Sequence, residues 1–439
     1  MKFTVNKGGC LTGRIRVPGD KSISHRAIMF GSIAEGTSQI TGFLEGEDSL
    51  NTLRAFRAMG VEIDGPVDGK VVIKGAGMHG LKKPAQALDL GNSGTSMRLL
   101  AGLLSGQNFD VELSGDSSLA KRPMKRVTQP LAAMGAAVDT AAEGRPPLYI
   151  HGGSQLSGID FVMPMASAQV KSCCLLAGLY AEGKTCVTEP APTRDHTERM
   201  LQAFAWPVHR EGATVCITGP AKLRACDIDV PADISSAAFF IVGASIAEGS
   251  DIVLEHVGVN PTRTGIIDIL RLMGANITLQ NPREVGGEPV ADIRVKSADL
   301  KGARIPEDLV PLAIDEFPAI FVAAACAEGE TVITGAEELR VKESDRIQSM
   351  ADGLQALGVA ARATPDGMVI QGRAGADSIG GGVVQSHDDH RIAMAFAMAG
   401  LCARGAIEIE ECANVNTSFP GFVELAASAG LDISSQLDR

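Results

Sequence analysis

An apolar run that ends in a short glycine turn and restarts as a β-rich segment occurs six times in this 439-residue chain. A recurrence of this kind narrows the possible folds more than any local motif does. The turns are Ala34-Glu35-Gly36, Leu104-Ser105-Gly106, Ala181-Glu182-Gly183, Ala247-Glu248-Gly249, Ala327-Glu328-Gly329 and Ala403-Arg404-Gly405, and their glycines lie 66 to 80 residues apart. The segments that follow alternate or are β-branched, as in Thr185-Cys186-Val187-Thr188 and Thr331-Val332-Ile333-Thr334. A second marker interleaves with the first: Ala58-Met59-Gly60-Val61, Ala133-Met134-Gly135-Ala136, Leu272-Met273-Gly274-Ala275, Ala356-Leu357-Gly358-Val359 and Ser428-Ala429-Gly430-Leu431. It closes an amphipathic stretch, in which Leu50, Leu53, Phe56 and Met59 recur with Asn51, Arg54 and Arg57 between them. Glycine there suits the left-handed position just past a helix end. The sixth copy is expected near Phe204-Ala205-Trp206-Pro207, where the glycine is lost.

Each unit thus reads as buried helix, glycine turn, strand, amphipathic helix, glycine turn, strands. The first helix is apolar almost all round (Ala27, Ile28, Met29, Phe30, Ile33 and Ala34), so it belongs inside. Six units make two pseudo-symmetric halves of three, an α/β chain with a half boundary near 226–230. The predicted domains are residues 1–18 with 229–439, which is discontinuous, and residues 19–228. A chain of this length exceeds one ordinary core. A solenoid is the alternative for any repeat, but units that carry both sheets and buried helices fit closed domains better.

Composition then removes whole classes of function. Acidic residues outnumber basic ones by 52 to 40, for a net charge of −12; a general nucleic-acid binder needs the opposite sign to displace counterions. With 14 Phe, 2 Tyr and 1 Trp, no stacking platform is expected. No run approaches the ~18 apolar residues of a membrane span, and the start of the chain shows no signal-peptide pattern, so a cytoplasmic location and no membrane partner are expected. The nine cysteines form no C-x-x-C pair. They are expected to be small buried hydrophobes kept reduced.

Chemistry is concentrated where the buried helices begin. The residues there are polar: Gly19-Asp20-Lys21-Ser22, Gly91-Asn92-Ser93-Gly94-Thr95, Ser167-Ala168-Gln169, Asp233-Ile234-Ser235-Ser236, Asp315-Glu316 and Asp388-Asp389-His390-Arg391. Helix N-termini present unpaired N–H groups and the positive end of the dipole, so they favour phosphates and carboxylates. A local field of that kind outweighs the global charge.

Individual motifs are weaker alone. Gly75-Ala76-Gly77-Met78-His79-Gly80 fits G-x-G-x-x-G, but no helix or acidic partner follows, so it reads as a loop. His387-Asp388-Asp389-His390 has metal-ligand residue types without a metal-binding frame, and N-capping by the aspartates fits better. Lys121-Arg122-Pro123-Met124-Lys125-Arg126 could be a solvated basic loop, and Lys342-Glu343-Ser344-Asp345-Arg346 an exposed helix face. Of Asp315 and Glu316, capping explains one carboxylate; the other suits a general base beside a buried helix.

Taken in order, these motifs resemble the 5-enolpyruvylshikimate-3-phosphate (EPSP) synthase family. The resemblance runs from Pro18-Gly19-Asp20-Lys21-Ser22-Ile23-Ser24-His25-Arg26 to Thr417-Ser418-Phe419-Pro420, through Gly91-Asn92-Ser93-Gly94-Thr95-Ser96-Met97-Arg98, Arg122-Pro123-Met124, Ser167-Ala168-Gln169-Val170-Lys171-Ser172, Thr193-Arg194-Asp195-His196-Thr197-Glu198 and Leu339-Arg340-Val341-Lys342-Glu343-Ser344-Asp345-Arg346. The Ser-Ala-Gln-Val-Lys-Ser and Arg-Asp-His-Thr-Glu versions look like the bacterial class II branch. The resemblance implies two domains of three βαβαββ units each, the enolpyruvyl transferase fold, with the active site in the cleft between them. It implies transfer of the enolpyruvyl group of phosphoenolpyruvate to the 5-hydroxyl of shikimate 3-phosphate, releasing phosphate, by addition and elimination through a tetrahedral ketal. No metal and no organic cofactor are implied, and an intra-chain site is compatible with a monomer.

Carried over residue by residue, Asp315 is the implied base, and Lys21 and Glu343 are both implied as the proton donor to the methylene carbon. Phosphoenolpyruvate is expected at Lys21, Gly94, Arg122, Gln169, Arg346 and Arg391. Shikimate 3-phosphate is expected at Lys21, Ser22, Arg26, Ser167, Ala168, Gln169, Arg194, Asp315 and Lys342, its phosphate near Ser167 and Arg194. Arginine forks suit both anions, and Gly94 lets a backbone N–H approach phosphoenolpyruvate or its mimic glyphosate. Two departures stand out: Thr417 where the other branch has a lysine, and Glu338 where it has an asparagine. Of the rival readings, UDP-N-acetylglucosamine enolpyruvyl transferase shares the architecture but carries a reactive cysteine in the loop that here reads Asp116-Ser117-Ser118-Leu119-Ala120-Lys121. A non-catalytic scaffold has no reason to place Lys21, Asp315, Glu343 and Arg391 at helix starts.

Overall fold

Twelve helices alternate between two kinds along the chain, in a computed structural model that describes residues 1–437. In chain order they are α1 (Lys21–Ile33), α2 (Glu47–Ala58), α3 (Gly94–Leu104), α4 (Lys125–Ala133), α5 (Ala168–Gly178), α6 (His196–Ala203), α7 (Ile234–Ile246), α8 (Gly265–Leu272), α9 (Phe317–Ala325), α10 (Arg346–Ala356), α11 (His390–Ala399) and α12 (Phe422–Ala429). Odd-numbered helices are buried nearly all round, as α1 is from Ile23 to Ile33. Even-numbered ones bury one face; α2 buries Leu53 and Phe56 and exposes Arg54 and Arg57. Apolar side chains on every face leave a helix no stable place except a core.

The chain divides into two compact units. A discontinuous unit comprises Met1–Pro18, Pro231–Glu284 and the chain from Pro289 onward; a central unit comprises Gly19–Val230 with Val285–Glu288. Each has its own hydrophobic core. In the central unit α3 packs along α5, and in the discontinuous unit α7, α9 and α11 pack on one another.

Among the described residues the units hold six sheets, built to a shared plan. A short segment ahead of each buried helix pairs in parallel with the strand after a buried helix, and antiparallel strands extend the sheet; after α11 these come from the two ends of the chain, Lys2–Val5 and Ile433–Gln436. In four units both partners flank the same helix, for example Asp160–Val162 and Gly183–Thr188 around α5. The first unit of each half exchanges its leading strand. Thr12–Ile15 precedes α1 but pairs with Asp251–Gly258, after α7. Ile228–Asp229 precedes α7 but pairs with Glu35–Thr41, after α1.

The second glycine marker adopts the expected backbone at all five copies, with φ of +86° at Gly60, +96° at Gly135, +98° at Gly274, +78° at Gly358 and +118° at Gly430. The sixth turn keeps that conformation without glycine: Ala205 has φ +64°. The cysteine reading needs correction. Cys186 and Cys216 face each other across antiparallel strands, Cα atoms 4.1 Å apart, and form a disulfide; direct opposition in the ladder brings both sulfurs to one side of the sheet. Cys10, Cys173, Cys174, Cys226, Cys326, Cys402 and Cys412 are free thiols.

Candidate active site

Side-chain caps set the geometry at the helix starts. Asp20 accepts from the Ile23 N–H, Ser93 from Ser96, Ser167 from Val170, Asp233 from Ser235 and Asp389 from Arg391. The pair ahead of α9 departs from this: Glu316 occupies the cap position and its side chain makes no cap bond. Asp388 does not cap either; with His387 it holds a left-handed backbone, φ +56° and +54°. Capping therefore explains Asp389 alone in that motif and neither Asp315 nor Glu316.

In the central unit Lys21 opens α1 and its Nζ lies 2.7 Å from Oδ2 of the buried Asp48. Ser22, beside it, offers its carbonyl to Arg26 Nη1 at 2.9 Å. Arg26 is itself buried, donating from Nε to Thr197 Oγ1 (2.7 Å) and from Nη2 to Ser172 Oγ (2.8 Å). Burial pulls its pKa down to about 10 against the opposing pull of Glu198 and Asp20, so it stays charged at neutral pH. Three of its donors serve the protein, which makes Arg26 a strut between α1, α5 and α6.

Gly94 starts α3 between two guanidinium groups. A methyl group there would stand 2.9 Å from Arg122 Nη1 and 3.2 Å from Arg98 Nη1. Arg122 donates to Asn92 Oδ1 at 2.7 Å. Arg98 donates to Gln169 Oε1, and Gln169 Nε2 donates to Thr95 Oγ1 at 2.9 Å. Gly94, Arg122 and Gln169 thus come together, and Ser167 and Ala168 lie at the same end of α5 as Gln169. Arg194 ends the loop that leads into α6 and lies close enough to Arg26 for their charges to interact. Arg98 belongs to this group too. Its position four residues after Gly94 in the helix places it on the same face, a spacing the motif itself carries.

In the discontinuous unit five expected residues, Asp315, Lys342, Glu343, Arg346 and Arg391, form one linked cluster. Asp315 Oδ1 is 3.4 Å from Arg346 Nη1 and 3.5 Å from Lys342 Nζ, and its carbonyl accepts from Arg391 Nη1 at 3.1 Å. Arg346 also donates to Glu343 Oε2 (2.7 Å) and to both oxygens of Asp389 (2.8 and 3.2 Å). Lys342 keeps Glu338 at 3.7 Å. Burial works to lower the Arg346 pKa, but Asp389, Glu343 and Asp315 outweigh it and hold the pKa above the ordinary value. This corrects the exposed-face reading of the 342–346 motif, because Arg346 is 1% exposed. Local charge alternation gave no sign that three carboxylates from three elements would surround it.

Glu316 forms a layer beneath. Its buried carboxylate accepts from Ser235 Oγ and lies 3.9 Å from Arg391, while Arg263 bonds Ser235 Oγ (2.6 Å) and Asp233 (3.1 Å). Thr417 is occupied locally, donating to the Asn414 carbonyl. Among the described residues no group of His, Cys, Asp and Glu is arranged to hold a metal ion.

The arrangement can bind anions at helix starts and arginine forks in one unit, and in the other it presents a carboxylate flanked by two cations. Known structures place this fold in a class. The chain superposes on the enolpyruvyl transferase NikO from Streptomyces tendae with a TM-score of 0.77 over 100% of this chain and 99% of that one, at 16% identity, so the fold is that of an enolpyruvyl transferase. EPSP synthase from Acinetobacter baumannii matches at a TM-score of 0.90 and 60% identity, covering 99% of this chain and all of that one. The family model of EPSP synthase (3-phosphoshikimate 1-carboxyvinyltransferase) matches residues 5–425. Proteins named 3-phosphoshikimate 1-carboxyvinyltransferase from Alkalilimnicola ehrlichii and Methylococcus capsulatus are 69% and 68% identical, over 99% and 98% of this chain and 97% and 98% of theirs. The chain belongs to the EPSP synthase family.

Proposed function

We propose that this enzyme transfers the enolpyruvyl group of phosphoenolpyruvate to the 5-hydroxyl of shikimate 3-phosphate and releases phosphate, a step of aromatic amino acid biosynthesis. The observation that carries the residue assignment is the cluster around Asp315. Its carboxylate lies between Lys342 and Arg346, Glu343 pairs with Arg346, and Arg391 bonds the Asp315 backbone carbonyl. Asp315 takes the 5-hydroxyl proton as that oxygen attacks C2 of phosphoenolpyruvate. Glu343 or Lys21 gives a proton to the methylene carbon, which becomes a methyl group in the ketal. In the second step the C2–phosphate bond breaks, a proton leaves the methyl group, and the vinyl group is restored on its new oxygen. Each phosphate carries about −1.5 to −2 charge at neutral pH, so cations must dominate where the substrates bind. Arg122, Arg346 and Arg391, with the Gly94 N–H, Lys21 and Gln169, serve phosphoenolpyruvate. Lys21, Ser22, Arg26, Ser167, Ala168, Gln169, Arg194 and Lys342 serve shikimate 3-phosphate, with Asp315 at its 5-hydroxyl. We propose that the protein acts as a monomer, since every residue of both sets belongs to one chain. Phosphorylated substrates do not cross membranes unaided, which supports a cytoplasmic setting.

The test is phosphate release from phosphoenolpyruvate with shikimate 3-phosphate or UDP-N-acetylglucosamine added in parallel. Release is expected only with shikimate 3-phosphate, and Asp315→Ala should lower kcat by about 10²–10⁴-fold, the range of a lost general base. Release with the nucleotide sugar alone would overturn the acceptor; full activity in Asp315→Ala would overturn the base.

A further inference from the structure

Behind the residues proposed for the phosphate of shikimate 3-phosphate lies an ionic cluster, buried except for Arg210, with no part in the proton transfers. Lys171 sits one turn into α5 with no exposed surface, a rare position for a lysine. Its Nζ is 2.7 Å from Glu189 Oε1 and 2.7 Å from Glu198 Oε1. Arg210 lies 3.1 Å from Glu189 and 3.8 Å from Glu198, so two cations face two carboxylates and the cluster is neutral. Such clusters add little stability, because desolvation offsets the attraction. What this one does add is geometric. Glu189 opens the loop that carries Arg194 and accepts from Thr193 Oγ1, next to that arginine. Glu198 lies on α6, just beyond the loop. Lys171 is therefore tied to both ends of loop 189–195 and, through its own helix, to Ser167 and Gln169.

We infer that Lys171 is a positioning residue for the phosphate end of shikimate 3-phosphate, riveting the start of α5 to loop 189–195 so that Ser167, Gln169 and Arg194 keep one geometry. This rests on the site reading above. Without the lysine, the loop loses its tie and the cluster keeps one net negative charge behind a phosphate dianion. Both changes weaken the phosphate end most; phosphoenolpyruvate, which shares only Gln169 with this set and relies on Arg122, Arg346, Arg391 and Lys21, is affected far less.

Steady-state kinetics with circular-dichroism melts on purified variants test this. Arg194→Ala comes first. If it leaves the KM for shikimate 3-phosphate unchanged, the site reading itself fails, whatever Lys171 does. Lys171→Met should raise that KM by about tenfold or more, as expected for a broken buried charge pair, with the KM for phosphoenolpyruvate within about twofold. The double variant Lys171→Met/Glu198→Gln is neutral again and should recover to within about threefold of the original protein. Thr193→Val removes one hydroxyl from the tie and should raise the same KM about threefold; it decides the matter alone if Lys171→Met does not fold. The inference is overturned if Arg194→Ala weakens shikimate 3-phosphate while Lys171→Met or, where that fails to fold, Thr193→Val leaves its KM unchanged. It is equally overturned if Lys171→Met raises both KM values alike and the double variant recovers neither.

Discussion

Ala205 carries a left-handed backbone at the turn where the five other copies of the repeat use glycine. An L side chain in that conformation costs roughly 1–2 kcal/mol, partly offset by the smaller chain entropy that alanine loses on folding. Ala205→Gly is therefore expected to stabilise the protein by about 0.5–1 kcal/mol, read as a higher urea midpoint with an unchanged m-value. Gly94 poses the opposite case. Its added methyl would press on the guanidinium groups of Arg122 and Arg98, so Gly94→Ala should raise the KM for phosphoenolpyruvate by about tenfold while that for shikimate 3-phosphate stays within about twofold. An unchanged phosphoenolpyruvate KM would remove Gly94 from that subsite. At this scale the sequence was legible wherever a residue type has one strong use: the five glycines past helix ends and the capping aspartate Asp389. It was silent on the burial of Arg346, which depends on Asp389 and Asp315, 43 and 31 positions away.

Helices α1, α2 and α3 are joined by a buried polar hub. His25 Nδ1 lies 2.8 Å from Thr52 Oγ1, which lies 2.7 Å from Ser96 Oγ, itself 2.7 Å from the capping Ser93. The hub ties together the helix starts that carry Lys21, Asp48 and Gly94. Burial, and then the charges of Lys21 and Arg26, hold the His25 pKa well below its ordinary 6.5, so the ring is neutral in the folded protein. Below about pH 6.5 the unfolded chain takes up a proton that the folded one refuses, and stability then falls by up to about 1.4 kcal/mol per pH unit until the folded pKa is reached. Subtracting the denaturation free energy of His25→Asn from that of the parent should leave a curve that is flat above pH 7 and declines below 6.5. A flat difference down to pH 5 would show that the ring is not held neutral. The hub was not foreseen: His25 reads as one polar residue on an apolar helix, and its partners arrive from two other helices.

The two units are built on an exchange of leading strands, Thr12–Ile15 for Ile228–Asp229. That exchange makes one unit discontinuous and supplies the first sheet of the other from residues that precede α7. A fragment spanning 19–230 therefore contains every strand of its three sheets. It should unfold cooperatively in urea and release no phosphate, because Asp315, Lys342, Glu343, Arg346 and Arg391 lie outside it. A fragment cut at 227, lacking Ile228–Asp229, should have a lower urea midpoint. Equal midpoints would mean the exchanged strand contributes nothing.

What the sequence determined by itself is whatever short-range physics repeats: six largely apolar helices that belong inside, amphipathic ones between them, the turns that join them, and polar residues at the buried helix starts. The resemblance added the reaction and the names of the residues. The tertiary structure alone decided which strands pair across the exchange, which two of nine cysteines bond, and which charges are buried. Periodicity and capping act within a few residues of one chain segment. Strand exchange, disulfide pairing and the Asp315 and Lys171 clusters depend on groups tens to hundreds of positions apart, which only the packed chain brings within reach.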